Sequence, residues 1–429
     1  MTQARRRVAV LTGSRADYGL LRSTMSAVAT HPRLKLQVIV TGMHLLRKFG
    51  HTVDEVVRDG WPIDARVRMQ AGDDSPLDQA NGLSRGIAGI ADALQRLRSD
   101  VVVVLGDRIE AMAGALAAVT TGRWLAHVHG GDVAPGDLDD ALRHSITKLT
   151  HLHFAATRSA ARRIIRMGES PDCVFHVGAP GLDELREFIN GRRREFVAPT
   201  AQRRRVARPL ANGRSRGLTL DTSRQGEQSA ARGTDQGVTW NPTHRAEQRT
   251  ALIVQHPCGR SPETERRVMA ALLRAVRDHD LAAVGIHPNS DRGHSGIVAA
   301  LAAHSRRVRR RPGFRSVRSL NRDDYLRLLI ESDVIVGNSS SGIIEAATAG
   351  IPAVNVGPRQ RGRETSGNAV VHADETYSAI RVAIGLALRL RLKPGTAGVY
   401  GDGSAGRRIA EVIAGFALTD QRRRKTITY

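Results

Sequence analysis

The residues with the most chemical potential stand directly after short β-branched runs. Gly106-Asp107-Arg108 follows the run 101–105. A carboxylate beside a guanidinium at a strand end suits proton abstraction combined with anion holding. His127-Val128-His129-Gly130-Gly131-Asp132 comes next, followed by Asp137, Asp139, Asp140 and His144. An acid-rich loop after paired glycines suits proton transfer at neutral pH. Asp137 or Asp139 also reads as an ordinary helix N-cap. His127 and His129 alternate on one strand face, which is half a zinc pattern. No matching Cys/His set lies nearby, so no metal is expected.

A second group suits anion binding. Thr12-Gly13-Ser14-Arg15-Ala16-Asp17-Tyr18-Gly19 is a glycine-containing turn into a helix, whose free N–H groups can hold phosphate. It is not G-x-G-x-x-G, so bound NAD is not supported and no cofactor is expected. His256-Pro257 and His287-Pro288-Asn289 each follow a strand-like run, where a histidine could hydrogen-bond a diphosphate. Gly337-Asn338-Ser339-Ser340-Ser341-Gly342-Ile343-Ile344-Glu345 places three hydroxyls at a helix start, a ready pyrophosphate site. Glu345 on the same helix could accept both hydroxyls of a ribose. Arg359, Arg361 and Arg363 could neutralise phosphate, or form a solvated basic loop.

The elements that must position these groups alternate in type. Strand-like runs at 8–11, 36–40, 101–105 and 124–128 are separated by amphipathic stretches at 18–29, 77–97, 109–120 and 140–150. The rhythm stops near Asn190 and resumes with strands at 251–255, 281–286, 334–336 and 353–356 and helices at 263–278, 324–331, 342–349 and 376–388. A βαβα rhythm implies parallel sheets covered by helices, so the fold class is α/β. Two such halves facing each other put a ligand in the cleft between them, beyond the strands' carboxyl ends. Residues 191–249 hold thirteen Arg, five acidic residues and few large apolar ones, and read as an inserted, disordered linker. The expected division is 1–190, 191–249, 250–374, a helical 375–418 and a frayed basic tail, 419–429.

The 429 residues carry a net charge of +23, but only five of the 65 basic residues are Lys. An arginine excess of this kind fits a GC-rich genome better than selection for polyanions. Aromatics are 3 % and no groove-entering motif is present, so nucleic acid is not an expected partner. No apolar run approaches a membrane span, so no membrane partner is expected either. Two cysteines and a polar start leading straight into a strand-like run favour a reduced, cytoplasmic setting.

The ordered set of motifs resembles one family. T-G-S-R-A-D-Y-G, G-D-R, H-x-H-G-G-D with L-D-D-x-x-R-H-x-I-T-K, then Q-H-P, H-P-N, G-N-S-S-S-G-I-I-E and R-Q-x-G-R-E occur in sequence. Together they look like the hydrolysing UDP-N-acetylglucosamine 2-epimerases of sialic acid and related nonulosonate biosynthesis. The resemblance covers residues 8–388 except 191–249. It implies two Rossmann-like domains facing a cleft in a glycosyltransferase-B-type arrangement, with a C-terminal helix crossing back to the first domain. It implies a UDP-amino sugar as substrate and a homo-oligomer, dimer or tetramer.

The same resemblance implies that Ser339 and Ser340 hold the diphosphate and Glu345 the ribose. His256, Asn289, Arg359 and Arg15 supply further nucleotide contacts, and Arg108 sits near phosphates and sugar. The family reaction removes a non-acidic C2 proton as UDP departs, giving a glycal. Water adds at C1 and a proton returns to the other face of C2. Two faces require at least two acid–base groups. By resemblance these are Asp107, Asp139 and a residue of the 129–132 stretch, His129 or Asp132. Many family members carry Glu at both of those last positions. Further readings are the UDP-N,N'-diacetylbacillosamine analogue as substrate, a non-hydrolysing epimerase that returns UDP-ManNAc, and a non-catalytic nucleotide-sugar-binding protein.

Overall fold

The computed structural model describes residues 4–71, 75–134, 138–191, 248–308, 313–395, 398–426 and 428. The expected linker, 191–249, lies almost wholly outside the described residues.

Two parallel sheets form the protein. The first comprises β1 (Arg6–Thr12), β2 (Leu34–Thr41), β3 (Ala65–Val67), β4 (Val101–Leu105), β5 (Trp124–Val128), β6 (Leu152–Ala155) and β7 (Val174–His176), in spatial order β3-β2-β1-β4-β5-β6-β7. The second comprises β8 (Thr250–Val254), β9 (Ala282–Ile286), β10 (Phe314–Val317), β11 (Val334–Gly337), β12 (Ala353–Val356) and β13 (Val370–Ala373), in order β10-β9-β8-β11-β12-β13. Central strands such as V-V-V-V-L in β4 are buried on both faces, as a helix-covered parallel sheet requires.

Each sheet reverses its winding direction once, between β1 and β4 in the first and between β8 and β11 in the second. Ligands bind at such switch points. Thr12-Gly13 and Gly106-Asp107 leave the first pair of strands, and Gln255-His256 and Gly337-Asn338 leave the second. Topology alone therefore delivers four of the polar clusters to one cleft.

The expected helices are present as Arg15–Thr30, Pro76–Leu97, Ile109–Thr120, Asp139–Leu149, Pro262–Arg277, Arg322–Glu331, Ser340–Ala349 and Tyr377–Ala387. Helices at Arg158–Arg166, Gly181–Ile189, His294–Arg307 and Ala405–Gly415 were not foreseen, nor were edge strands such as β3 and β7.

The C-terminal region departs from expectation in two ways. Tyr377–Ala387 stays on the second sheet, burying Ile380, Ala383, Ile384 and Ala387 there. Ala405–Gly415 crosses back, adding Ile409 and Ile413 to the core of the first sheet, with Phe416 just beyond it. The tail expected to fray is docked instead. A short helix, Asp420–Arg423, is followed by Lys425, whose Nζ lies 2.6 Å from Glu169 Oε2 and donates to Lys148 O at 2.6 Å. Among the described residues both cysteines are free thiols, and no helix is long and apolar enough to cross a membrane.

Candidate active site

A cleft opens between the two sheets. Its lining includes Arg15, His129, His256, Ser339, Ser340 and Glu345. The remaining candidates, Asp107, Arg108, Asp132, Asp139, Asn289 and Arg359, are not on this lining. They are tied beside it by hydrogen bonds and ion pairs.

The hydroxyl-rich wall is made by the Gly337-to-Glu345 segment. Gly337 has φ 143°, and a Cβ there would come within 2.1 Å of Val254 O, so β11 can turn beside β8 only with glycine. Asn338 then clamps the end of β8. Its Oδ1 accepts from His256 N at 2.7 Å and its Nδ2 donates to His256 O at 2.8 Å. Ser339 caps the following helix through Ser341 N at 3.3 Å. The helix's first N–H groups and the half-buried Ser340 face the cleft, an anion-binding arrangement.

Arg15 opens the helix Arg15–Thr30. The carboxylate of Asp17 accepts from Gly13 N and Ser14 N and thereby fixes the turn that carries it. The Arg15 side chain makes no hydrogen bond or ion pair with any described residue. Burial lowers its pKa, partly offset by Glu55. A desolvated guanidinium without an ion-pair partner favours an anion from outside the fold.

Glu345 is 3 % exposed and is engaged by Arg322, which also donates to Gly181 O at 2.9 Å. Arg322 lies 3.7 Å from Glu184, which Arg22 holds at 3.0 Å. Arg22 reaches on to Asp323 at 2.7 Å. The ribose carboxylate expected from sequence is thus the end of a buried ionic chain joining both domains.

The acid cluster is organised by arginines. Asp107 is bonded by Arg143, which also donates to His129 O at 3.0 Å. Asp139 starts the helix Asp139–Leu149 and accepts from Arg359 Nη2 at 3.1 Å. Burial pushes the Asp139 pKa up to about 6; the charge of Asp107 adds to this and Arg359 opposes it. A carboxyl group with that pKa can exchange a proton near neutral pH.

Asp132 is paired with His129, the other candidate of the same stretch. It is 4 % exposed and accepts from His129 Nδ1 at 3.0 Å, with Arg363 at 3.7 Å. Burial would raise its pKa, but the His129 bond and Arg363 outweigh burial and hold it well below the usual carboxylate range. Like Asp107 and Asp139 it stands beside the cleft lining, and it stays ionised. His129 itself sits at φ 64°, a strained conformation for a residue with a side chain, and lines the cleft. His127 points away from it: its Nε2 donates to Gly106 O at 2.7 Å, and burial lowers its pKa to about 3. The two histidines do not form a metal pair, and no metal-ligating cluster occurs among the described residues.

Arg108 is held by Glu110 at 3.2 Å from its own domain and by Asp291 at 2.8 Å from the other. Asn289 also bonds Asp291, and its N–H donates to His256 Nδ1 at 3.4 Å. Burial lowers the His256 pKa to about 3, with Arg359 adding to the effect, so its ring is neutral. Of the three loop arginines, Arg359 and Arg363 face the site, whereas Arg361 is 72 % exposed and lies 3.9 Å from Asp374. Sequence reasoning missed Arg143, Arg322, Glu110 and Asp291. Arg143 stands in the R-H-x-I-T-K stretch, which could have flagged it.

Comparisons with known proteins agree with one another. A family model described as UDP-N-acetylglucosamine 2-epimerase matches residues 26–414. A Legionella pneumophila protein named UDP-N,N'-diacetylbacillosamine 2-epimerase (hydrolyzing) is 31 % identical over 416 residues, covering 97 % of each chain. A Neisseria meningitidis UDP-N-acetylglucosamine 2-epimerase is 28 % identical, covering 89 % of this chain and 88 % of its own. The crystal structure of a UDP-GlcNAc 2-epimerase from Neisseria meningitidis bound to UDP-GlcNAc superposes with a TM-score of 0.68 over 95 % of this chain and 99 % of that one, at 15 % identity. Matched along most of its length and folded in the same way, this chain belongs to the UDP-N-acetylglucosamine 2-epimerase family.

Proposed function

We propose that the protein is a hydrolysing 2-epimerase that converts UDP-GlcNAc and water to ManNAc and UDP. The observation that carries this reading is Asp139, a carboxyl group with a pKa near 6 beside a second carboxylate, Asp107. An arginine from the nucleotide wall holds Asp139.

UDP lies along the second domain. Its diphosphate meets the N–H groups and hydroxyls at Ser339 and Ser340, with Arg15, Arg108 and Arg359 neutralising its charge. Glu345, oriented by Arg322, accepts from the ribose hydroxyls, and the neutral His256 and Asn289 complete the nucleotide contacts. One carboxylate of the Asp107–Asp139 pair takes the C2 proton as the C1–O bond to UDP breaks. The electron pair forms the C1–C2 double bond of the glycal. Arginines and the helix dipole stabilise the charge that develops on UDP. Water then adds at C1, and the other acid returns a proton to the opposite face of C2. His129, fixed by Asp132, lines the cavity where the sugar would lie.

The Legionella relative favours a second substrate, the UDP-N,N'-diacetylbacillosamine analogue. Either sugar feeds the synthesis of sialic acids or related nonulosonates in a bacterial cytoplasm. The reading includes assembly into a dimer or tetramer, checked by light scattering.

NMR in D2O with both UDP-sugars tests the function. Free 2-epimerised sugar with deuterium at C2, and released UDP, are expected. Intact UDP-ManNAc as product, or no product from either sugar, overturns the reading.

A further inference from the structure

Asp291 follows the His287-Pro288-Asn289 turn in the second domain, yet it bonds the first. Its Oδ1 accepts from Arg108 Nη1 at 2.8 Å across the cleft. Its other oxygen accepts from Asn289 Nδ2. Burial would raise its pKa, but the charges of Arg108 and Arg359 and the Asn289 bond outweigh burial and keep it ionised. Arg108, Arg359, Asn289 and His256 are the groups assigned above to the nucleotide. A carboxylate and a phosphate offer such donors the same thing, paired anionic oxygens that accept charge-assisted hydrogen bonds. Arg108 is held differently from its own side. Glu110, 2 % exposed, accepts from Nε at 3.2 Å, and that grip does not depend on the second domain.

We propose that Asp291 is a built-in competitor of the diphosphate, holding Arg108 across the cleft until the diphosphate takes the guanidinium and reclaiming it as UDP leaves. The proposal rests on the UDP-sugar reading. Binding the nucleotide costs the Arg108–Asp291 pair, so affinity is lowered. The same pair re-forms during release, so UDP departs faster. Glu110 keeps Arg108 aimed throughout the exchange.

The test measures calorimetric binding of UDP and of uridine to the full chain and to Asp291→Asn, which keeps the shape and removes the charge. The variant is expected to bind UDP several-fold to about tenfold more tightly, as loss of a partly buried competing ion pair requires. Uridine affinity stays unchanged, and kcat falls as UDP release slows. Asp291→Ser must change UDP affinity in the same direction. Equal or weaker UDP binding by either variant, or an equal gain for uridine, overturns the proposal. A parent protein that binds no UDP overturns the UDP-sugar reading itself, which separates the two failures.

Discussion

Arg359, just beyond β12, donates to Asp139 Oδ2 at 3.1 Å and so joins the basic wall of the second domain to the acid loop of the first. The pair bears directly on pH dependence. Burial raises the Asp139 pKa and Arg359 restrains it, for a value of about 6. If the ionised form is the base, kcat/KM rises with pH through a midpoint near 6. Arg359→Met removes the restraint, so the midpoint moves to higher pH while KM rises. The stability sign runs the other way. Because the folded pKa lies above the ordinary one, ionising Asp139 opposes folding as pH rises from about 4 through 6. A pH–rate profile of both proteins checks the first point, and denaturation of Asp139→Asn across that range checks the second.

Asp107→Asn keeps the size of the side chain and its place beside Arg143 but removes a proton acceptor. Turnover is expected to fall by about 10²–10⁴, the usual share of a general acid–base group. UDP affinity should change little, because no nucleotide contact is lost. Solvent deuterium exchange at C2, followed without product release, shows which step fails.

Much of this arrangement is legible from sequence, for identifiable reasons. Val101 to Leu105 is a continuous apolar run and Trp124 to Val128 is apolar but for His127, and the polar residues after them fall at strand ends, where parallel sheets place ligands. β3 and β7 escape notice because three residues such as A-R-V or V-F-H carry no period. The surroundings of Asp132 are not legible from an acid-rich stretch. Only the fold shows that His129 and Arg363 enclose it. Arg322 and Asp291 act through partners in the opposite domain or far along the chain, and spacing in sequence does not reveal such contacts.

Arg322→Met should be severe. It leaves Glu345 buried without its guanidinium and weakens the link to Glu184. Stranding buried charge in this way costs about 3–5 kcal/mol. Urea denaturation is expected to show that loss. Glu345→Gln should cost less stability, because Arg322 keeps Glu184 at 3.7 Å and Gly181 O at 2.9 Å as partners, but it should raise KM for the UDP-sugar.

Lys425→Ala probes the docked tail. Lys425 and Lys148 converge on Glu169, which also accepts from His153 at 3.1 Å. Burial would raise the Glu169 pKa, but these partners outweigh it and hold the value at about 2. Its stabilising share is therefore present above pH 4.5 and lost as pH falls toward 2. Removing Lys425 should cost about 1.5–3 kcal/mol at pH 7, the range for hydrogen bonds to charged groups. That loss should shrink as Glu169 protonates, which melting curves at pH 7 and pH 3 would show.

The helix Ala405–Gly415 adds Ile409 and Ile413 to a core whose other members begin at Val8, and Phe416 joins it directly after the helix. The first sheet is thus synthesised before the second, yet it lacks part of its apolar interior until residue 416 has followed. During synthesis its underside stays incompletely covered while the second sheet can already close on residues between 251 and 387. The order of completion is the reverse of the order of synthesis, and a fragment ending before residue 405 would expose the surface that this helix covers.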